Sequence, residues 1–124
     1  MIIKDSLFTT RFTCVECEEK EEQKFNAPHH FKVRKIDPVT LSPSDEVVGE
    51  INFQEGPVKE NGINGLNHED LLLMVLIRLR SFQESEYACR ENEKAIEKLE
   101  ECVMWLRKRT LDREQRNVLG TSEL

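Results

Sequence analysis

The chain has 124 residues and a formal net charge of −6; 38% of its residues are hydrophobic and 34% are charged. This length predicts one domain, and this composition is typical of a soluble, charge-rich globular protein. The longest apolar run, residues 71–77, is too short to cross a bilayer, and the first ten residues lack the pattern of a signal peptide. We therefore expect neither a membrane protein, nor a secreted precursor, nor a multidomain enzyme.

The charge is unevenly distributed along the chain. An acidic protein is a poor candidate for binding a nucleic acid polymer, which normally requires a basic excess or stripe. Residues 105–116 nevertheless contain five arginines and lysines against two acidic residues. Such a local patch can bind a small anionic ligand.

Residues 1–57 are predicted to form an antiparallel β-sheet, because they contain three runs rich in β-branched and aromatic residues with short connections. The predicted strands cover residues 6–17, 30–36 and 46–53. Gly49 marks a possible bulge in the third strand. Prolines and polar turn residues predict a loop over 37–45.

Residues 67–118 are predicted to form a two-helix hairpin. Asn67 is a suitable N-cap, and the first helix runs to about Gln83. Residues 71–77 are apolar in succession and cover the whole circumference of this helix, so they must be buried on every side. One small sheet and one neighbouring helix can hardly cover them, and we therefore expect a subunit interface.

A second helix is predicted over about 90–118. Its apolar residues recur at steps of three and four, the spacing of a packed seam; they are Ile96, Leu99, Val103 and Leu106. A helix of ~28 residues is ~42 Å long, so part of it should project beyond its own subunit. The predicted class is α+β: a single domain over 1–124, with the sheet, a linker over 58–66, the hairpin and a tail over 119–124, assembled as an oligomer.

The cysteines suggest a metal site only weakly. Of the four, Cys14 and Cys17 form a single C-x-x-C pair, whereas a structural zinc site needs four ligands. His29 and His30 are the available partners. We favour ordinary strand residues for both cysteines, predict no metal and no cofactor, and keep a zinc-stabilised structural oligomer as an alternative.

The candidate binding residues lie on and around the second helix. Arg109 and Arg113 are ~6 Å apart along the helix axis, which suits two guanidinium groups binding one pyrophosphate. Trp105 and Arg116 continue the same stripe. The alternative is that cations near a helix C-terminus simply complement the helix dipole.

Three further features fit a nucleotide. Phe82 can stack on a purine, Asn92 can hydrogen-bond to an adenine or ribose edge, and the helix start at Cys89 and Arg90 offers N–H groups to an anion. The alternatives are a core aromatic for Phe82 and a helix cap for Asn92. Together with the arginines, these residues predict a phosphate-bearing, nucleotide-like ligand.

No catalytic residues are predicted. The sequence has no glycine-rich phosphate loop, no metalloprotease or hydrolase motif, and three histidines. A general base, a nucleophile and an orienting partner cannot be assembled convincingly from these residues. We expect the ligand to be held rather than converted, and keep a nucleotide-degrading enzyme as an alternative.

Several motifs over about residues 50–122 resemble, in order, those of a family of small phage proteins. The motifs are FQEGPV (53–58), GING (62–65), EDLL (69–72), RLRSFQ (78–83), ACREN (88–92), KLEE (98–101), WL (105–106), RT (109–110), RE (113–114) and VLGT (118–121). The family is the Thoeris anti-defence sponges of the first type, which share a domain with the anti-CBASS cyclic-nucleotide sponges.

This resemblance implies a function. Such proteins bind glycocyclic ADP-ribose, which TIR-domain immune enzymes make, and sequester it without cleavage in the cytoplasm of the infected bacterium. Members of the wider family also bind cyclic di- and trinucleotides. The resemblance further implies a homo-oligomer, built from dimers into hexamers, with ligand pockets between subunits. Neither a nucleic acid polymer nor a membrane is an expected partner.

The resemblance also assigns residues. Phe82 would stack on the adenine, Asn92 would hydrogen-bond to the ligand, and Arg109 and Arg113 would bind the pyrophosphate. The secondary ligand-binding candidates are Tyr87, Ala88, Cys89, Arg90, Gly120 and Thr121. Of these, Arg90, Gly120 and Thr121 are candidates for a second, cyclic-oligonucleotide pocket between subunits. Family members often have phenylalanine where this chain has Tyr87, a change that keeps the ring.

Overall fold

The computed structural model describes residues 1–5, 7 and 11–124 and divides the chain into two compact units. The sheet unit comprises Met1–Gly56 and Ile63–Gly65; the hairpin unit comprises Pro57–Gly62 and Leu66–Leu124. Antiparallel strands come first in the chain and helices follow. The predicted α+β class is therefore confirmed.

The sheet unit contains three strands, each antiparallel to the next in sequence order. They are β1 (Thr13–Cys17), β2 (His30–Ile36) and β3 (Pro43–Asn52). The prediction for β2 is confirmed. β3 starts inside the predicted 37–45 loop, because Pro43 pairs with Ile36 from the first position of a strand, where proline is tolerated. Residues 6 and 8–10 of the first predicted strand lie outside the described residues.

The β-bulge that the sequence predicted at Gly49 lies at the neighbouring residue of β3. Val33 pairs with Gly49 and Arg34 pairs with Val47, so Val48 is the extra residue in β3. A bulge of this kind inserts one unpaired residue and increases the local twist. The glycine was therefore a correct marker of the place, although it is not itself the inserted residue.

The two faces of the sheet carry different side chains. Phe31 and Val33 lie on one face, and Phe31 meets Phe53 edge to face with ring centroids 5.6 Å apart. On the other face, Nη2 of Arg34 lies 2.8 Å from Oε1 of Glu16. The hydrogen bond from Arg34 lowers the pKa of the Glu16 carboxyl.

The predicted linker contains structure that the sequence did not indicate. Residues Val58–Asn61 form a one-turn helix, α1, which follows Pro57 and ends at Gly62 with a φ of +73°. Asn64 braces the end of the sheet unit: its Oδ1 accepts the Glu55 N–H at 2.8 Å, and its Nδ2 donates to Glu55 O at 2.9 Å. The linker therefore has regular structure and side-chain hydrogen bonds rather than being an extended connection.

The hairpin unit is built on α2 (His68–Gln83) and α3 (Arg90–Gln115). α2 begins after Asn67, as predicted, and the Asn67 N–H donates to Oδ2 of Asp70 at 2.8 Å. Nη2 of Arg80 on α2 lies 3.2 Å from Oε2 of Glu100 on α3. No helix within the described residues is long and apolar enough to cross a membrane.

α3 is shorter than predicted. It ends at Gln115 rather than about 118, because Asn117 adopts a left-handed conformation with a φ of +58°. The Val118 N–H then turns back to Arg113 O at 3.0 Å. This closure satisfies a carbonyl that the end of the helix would otherwise leave unpaired.

Candidate ligand-binding site

Gln83 fixes the loop between α2 and α3. Its Nε2 donates to Cys89 O at 3.1 Å, and its Oε1 accepts the Cys89 N–H at 3.0 Å. The last turn of α2 and the first turn of α3 are therefore tied together, which sets the positions of Phe82 and Asn92. The residue pattern did not indicate this closure, since a glutamine in a last helical turn is ordinary.

Phe82 forms an aromatic cluster with Tyr87 and Arg78. Its ring meets the Tyr87 ring edge to face, with centroids 6.3 Å apart, and Cζ of Arg78 lies 5.2 Å from its centroid. Phe82 is half-buried, whereas Tyr87 is 67% exposed. Such a cluster offers a surface on which a purine can stack. Arg78 was not predicted, although its spacing of four from Phe82 places it on the same face of α2.

Asn92 lies half-buried in the first turn of α3. The capping role considered for it belongs to Cys89, whose Sγ accepts the Asn92 N–H at 3.5 Å. The Asn92 side chain forms no hydrogen bond within the described residues. It is therefore available to a ligand. The neighbouring secondary candidates, Ala88 and Arg90, are exposed.

The second half of α3 carries the arginine stripe, defined as Trp105, Arg109, Arg113 and Arg116. Trp105 is 63% exposed, and Nζ of Lys108 lies 5.5 Å from its ring centroid. Arg109 is exposed and forms no ion pair or hydrogen bond with any residue that the structure describes. Arg116 lies 3.8 Å from Asp112, Nη1 to Oδ2.

Arg113 differs from Arg109 in its surroundings. It is 9% exposed. Its Nη2 donates to Val118 O at 3.0 Å and to Thr121 O at 3.2 Å. Thr121 and its neighbour Gly120, the remaining secondary candidates, are half-buried in the same C-terminal segment.

The aromatic cluster and the arginine stripe lie at separate positions along the hairpin. Asn92 and Arg109 are 17 residues apart on α3, or about 25 Å along a straight helix. A small-molecule pocket at the upper end of the usual range, ~1,000 Å³, is only about 12 Å across. One chain therefore does not bring its four principal candidate residues together around one small ligand.

The apolar run of α2 is buried on one side only. Within the hairpin unit Leu76 is 5% exposed, whereas Met74 is 59% and Ile77 is 51% exposed. Leu73 and Val75 are exposed as well. An exposed contiguous apolar surface of this kind on one helix is typical of interaction sites.

The histidines of the sheet unit have partners within their own unit. Nδ1 of His30 lies 2.7 Å from Oδ1 of Asn52, and its Nε2 lies 2.9 Å from Oε1 of Glu55; the protonated imidazole donates to both oxygens. These two hydrogen bonds raise the pKa of His30. His29 is buried with Nε2 2.6 Å from Lys24 O.

A zinc site on the sheet unit lacks the necessary arrangement of donors. Within the described residues, no three His, Cys, Asp or Glu side chains are grouped so as to hold a metal ion. The four cysteines are free thiols. The described part of the chain therefore offers no set of four ligands to the zinc-stabilised alternative.

Comparison of the sequence with known families shows the class of protein to which the chain belongs. The sequence model described as Acb2/Tad1, hairpin domain, matches residues 45–111, which include α2, the aromatic cluster, Asn92 and Arg109. The chain belongs to this Acb2/Tad1 hairpin-domain family.

Similarity also extends over nearly the whole chain. The chain is 46% identical to the protein Thoeris anti-defense 1 of Bacillus phage SBSphiJ7, over 98% of this chain and 97% of that relative. The resemblance predicted from the sequence motifs is thereby confirmed.

Proposed function

We propose that this protein is a phage anti-defence protein that binds glycocyclic ADP-ribose and sequesters it without cleavage. The observation that carries the proposal is the nearly full-length similarity to Thoeris anti-defense 1. Its setting would be the cytoplasm of the infected bacterium, where the TIR enzymes make this messenger. The half-buried Phe82 beside the exposed Tyr87, and Arg109, which has no partner among the described residues, support a ligand with both a base and phosphates.

In the proposed complex each principal residue has one role. Phe82 stacks on the adenine, and Asn92 hydrogen-bonds to the ligand. Arg109 and Arg113 bind the pyrophosphate with charge-assisted hydrogen bonds. The exposed guanidinium of Arg109 can form them in pairs because it is a planar fork.

The pocket is proposed to lie between two chains. This follows from the ~25 Å that separates Asn92 from Arg109 on one helix, which an ADP-ribose-sized ligand does not span. The exposed apolar surface of α2 supplies a surface for assembly. Dimers that build into hexamers fit this arrangement, with the aromatic cluster of one chain beside the arginine stripe of another.

The protein is proposed to hold its ligand rather than to convert it. Two of the three histidines, His29 and His30, are engaged inside the sheet unit. No group of a base, a nucleophile and an orienting partner is evident among the described residues.

Cyclic di- and trinucleotides of CBASS are proposed as further ligands of a second pocket. Tyr87, Ala88, Cys89 and Arg90 surround the start of α3, whereas Gly120 and Thr121 lie beyond its end. Because α3 has 26 residues, about 39 Å at 1.5 Å per residue, this pocket also requires more than one chain.

A capture-and-release measurement tests the function. The purified chain is mixed with glycocyclic ADP-ribose, free ligand is removed by filtration, and the protein is denatured by heat. Mass spectrometry should then recover the intact ligand in proportion to protein. A changed mass would identify an enzyme, and no retained ligand would refute the proposal. Cyclic trinucleotides, tested in parallel, report on the second pocket.

A complementation experiment tests whether the pocket is shared between chains. Phe82→Ala and Arg109→Ala variants, each deficient in binding, are unfolded together, refolded and assayed. A site that takes Phe82 from one chain and Arg109 from another is restored in about a quarter of random pairings. A site within one chain gives no restoration, so a mixture as inactive as its components would refute the shared pocket.

A further inference from the structure

The C-terminal tail that follows α3 comprises residues 117–124, two residues more than the predicted 119–124, and it is folded back onto the end of the helix. Asn117 and Gly120 both have left-handed backbones, with φ values of +58° and +78°. The Thr121 hydroxyl donates to Val118 O at 2.5 Å, and the Lys59 N–H donates to Gly120 O at 2.9 Å. The tail is therefore fixed both to itself and to α1.

The tail holds one nitrogen of the Arg113 side chain. Nη2 donates to the carbonyl oxygens of Val118 and Thr121, at 3.0 and 3.2 Å. Nε and Nη1 have no partner within the described residues. No buried side-chain nitrogen or oxygen is left unpaired in this part of the chain, so Nε and Nη1 both reach the surface.

We propose that the tail is a positioning element for Arg113, an inference that rests on the proposed function. The two carbonyls hold Nη2 and leave the N–H groups of Nε and Nη1 free to donate singly to phosphate oxygens of the ligand. An arginine that is already ordered loses little side-chain entropy on binding, which favours the complex. Arg109, which is exposed and unpaired, has to be ordered when the ligand binds.

Several polar groups of the tail are hydrogen-bonded within the protein. The Thr121 hydroxyl donates to Val118 O and accepts the Glu123 N–H at 3.3 Å. The carbonyls of Gly120 and Thr121 are occupied by Lys59 and Arg113. The tail therefore acts on the phosphate ligand through Arg113.

A double-mutant cycle tests this dependence, with glycocyclic ADP-ribose as the probe. Deleting residues 118–124 should weaken binding about threefold to thirtyfold, and Arg113→Ala should weaken it about tenfold to a hundredfold. In the Arg113→Ala background, the deletion should add less than a twofold change, because its target is absent. Deleting only residues 123–124 keeps both carbonyls and is the matched control. Equal effects of the tail deletion in both backgrounds would overturn the proposal.

Gly120→Val keeps the chain length and covers the case in which the deleted chain fails to fold. A side chain at Gly120 is strained by its φ of +78°, and its Cβ would lie 3.2 Å from Cγ of Lys59. This variant should displace the Thr121 carbonyl and reproduce the coupling to Arg113→Ala. Binding that equals wild type despite a displaced tail would overturn the proposal.

A spectroscopic measurement separates positioning from general stability. The ¹⁵N relaxation of the Arg113 Nε–H group should report a rigid side chain in the free wild-type protein and a mobile one after tail deletion, at unchanged helix content. A mobile Arg113 in the wild type would overturn the proposal. If wild type binds no ligand, the proposed function fails and the ligand half of this inference fails with it, while the relaxation data still decide whether the tail orders Arg113.

Discussion

The sheet unit and the hairpin unit differ in how the polar side chains considered as binding residues are paired. In the sheet unit, His30 is held between Asn52 and Glu55, and Glu16 is paired with Arg34. In the hairpin unit, Arg109 and the side chain of Asn92 have no partner among the described residues. The hairpin unit also exposes much of the apolar run of α2. In the proposed function, these groups of the hairpin unit are the ones that bind a ligand and a partner chain.

This difference teaches that charge alone does not identify a binding surface. The sheet unit has a shallow depression lined by charged residues, including Glu16, Glu18 and His30. Burial opposes ionisation of Glu18, but the N–H groups of His29 and His30 that donate to its carboxylate lower its pKa overall. A carboxylate already used in this way contributes to the fold. The unpaired Arg109 can contribute to binding.

The largest effect is expected from placing a charge on the closed side of α2. Leu76 is 5% exposed, so Leu76→Asp loses apolar packing and buries an unpaired carboxylate. The cost is about 4 kcal/mol or more, enough to lower the midpoint of thermal unfolding by ~15 °C. Circular dichroism at 222 nm measures this loss of helix.

Met74→Asp is the matched control, because Met74 is on the same helix and 59% exposed. It should leave the helix content unchanged and lower the mass of the assembly, measured by light scattering. Equal unfolding of both variants would contradict the distinction between the closed and open sides of α2. An unchanged mass for Met74→Asp would remove this surface from the proposed interface.

The second largest effect is expected on ligand affinity when Arg109, which has no partner among the described residues, is replaced. Arg109→Ala should weaken binding of glycocyclic ADP-ribose about tenfold to more than a hundredfold, since a charge-assisted hydrogen bond contributes ~1.5–3 kcal/mol. Arg107→Ala removes the same charge from an exposed position two residues away and should change the affinity less than threefold. Titration calorimetry measures both. Equal losses would show that only the overall charge matters.

The sequence predicted the elements of the fold better than the environment of each side chain. β2 and α2 agree with prediction because their apolar and β-branched residues recur at regular spacing. The start of α2 was predictable because Asn67 is a favourable N-cap residue and Asp70 an acidic residue of the first turn. The end of α3 was placed too late, because an asparagine in a left-handed conformation is not distinctive in sequence.

The environment of the candidate residues depends on contacts that no local pattern contains. Arg109 and Arg113 are equivalent by spacing, yet only Arg113 is buried, because the tail returns to it from five to eight residues further on. The closure by Gln83 and the brace by Asn64 are side-chain contacts with the backbone of distant residues. Their geometry follows from the fold and not from residue type.

A smaller effect is expected from opening the loop beside the aromatic cluster. Gln83→Ala removes both hydrogen bonds to Cys89, at a cost of ~1–2 kcal/mol. The unfolding midpoint should fall by ~3–8 °C, and hydrogen exchange at the Cys89 amide should accelerate. Gln115→Ala, at the exposed end of α3, is the control for helix propensity. Unchanged exchange at Cys89 would show that the loop is held by other contacts.

The smallest expected effect is a pH dependence of thermal stability, which tests whether His30 is stabilised by its partners within the sheet unit. Hydrogen bonds to Asn52 and Glu55, with the nearby charges of Glu55 and Glu18, raise the pKa of His30 above 6.5. Folding therefore favours the protonated imidazole. The stabilisation is fully present below pH 6.5 and is lost as the pH rises through the raised value.

His30→Gln should abolish this dependence of stability on pH. For an exposed ion pair such as His30 and Glu55, the dependence corresponds to ~1–4 °C in the unfolding midpoint. Thermal melts of wild type and variant at pH 5.5 and 8.5 measure it. Lys32→Gln, at an exposed position of β2, keeps His30 and both of its partners; it is the control and should keep the wild-type pH dependence. If His30→Gln kept it as well, the ionic contacts of the sheet unit would not be coupled to its folding. The comparison between His30, which is paired within the sheet unit, and the candidate ligand-binding residues of the hairpin unit would then rest on the hairpin unit alone.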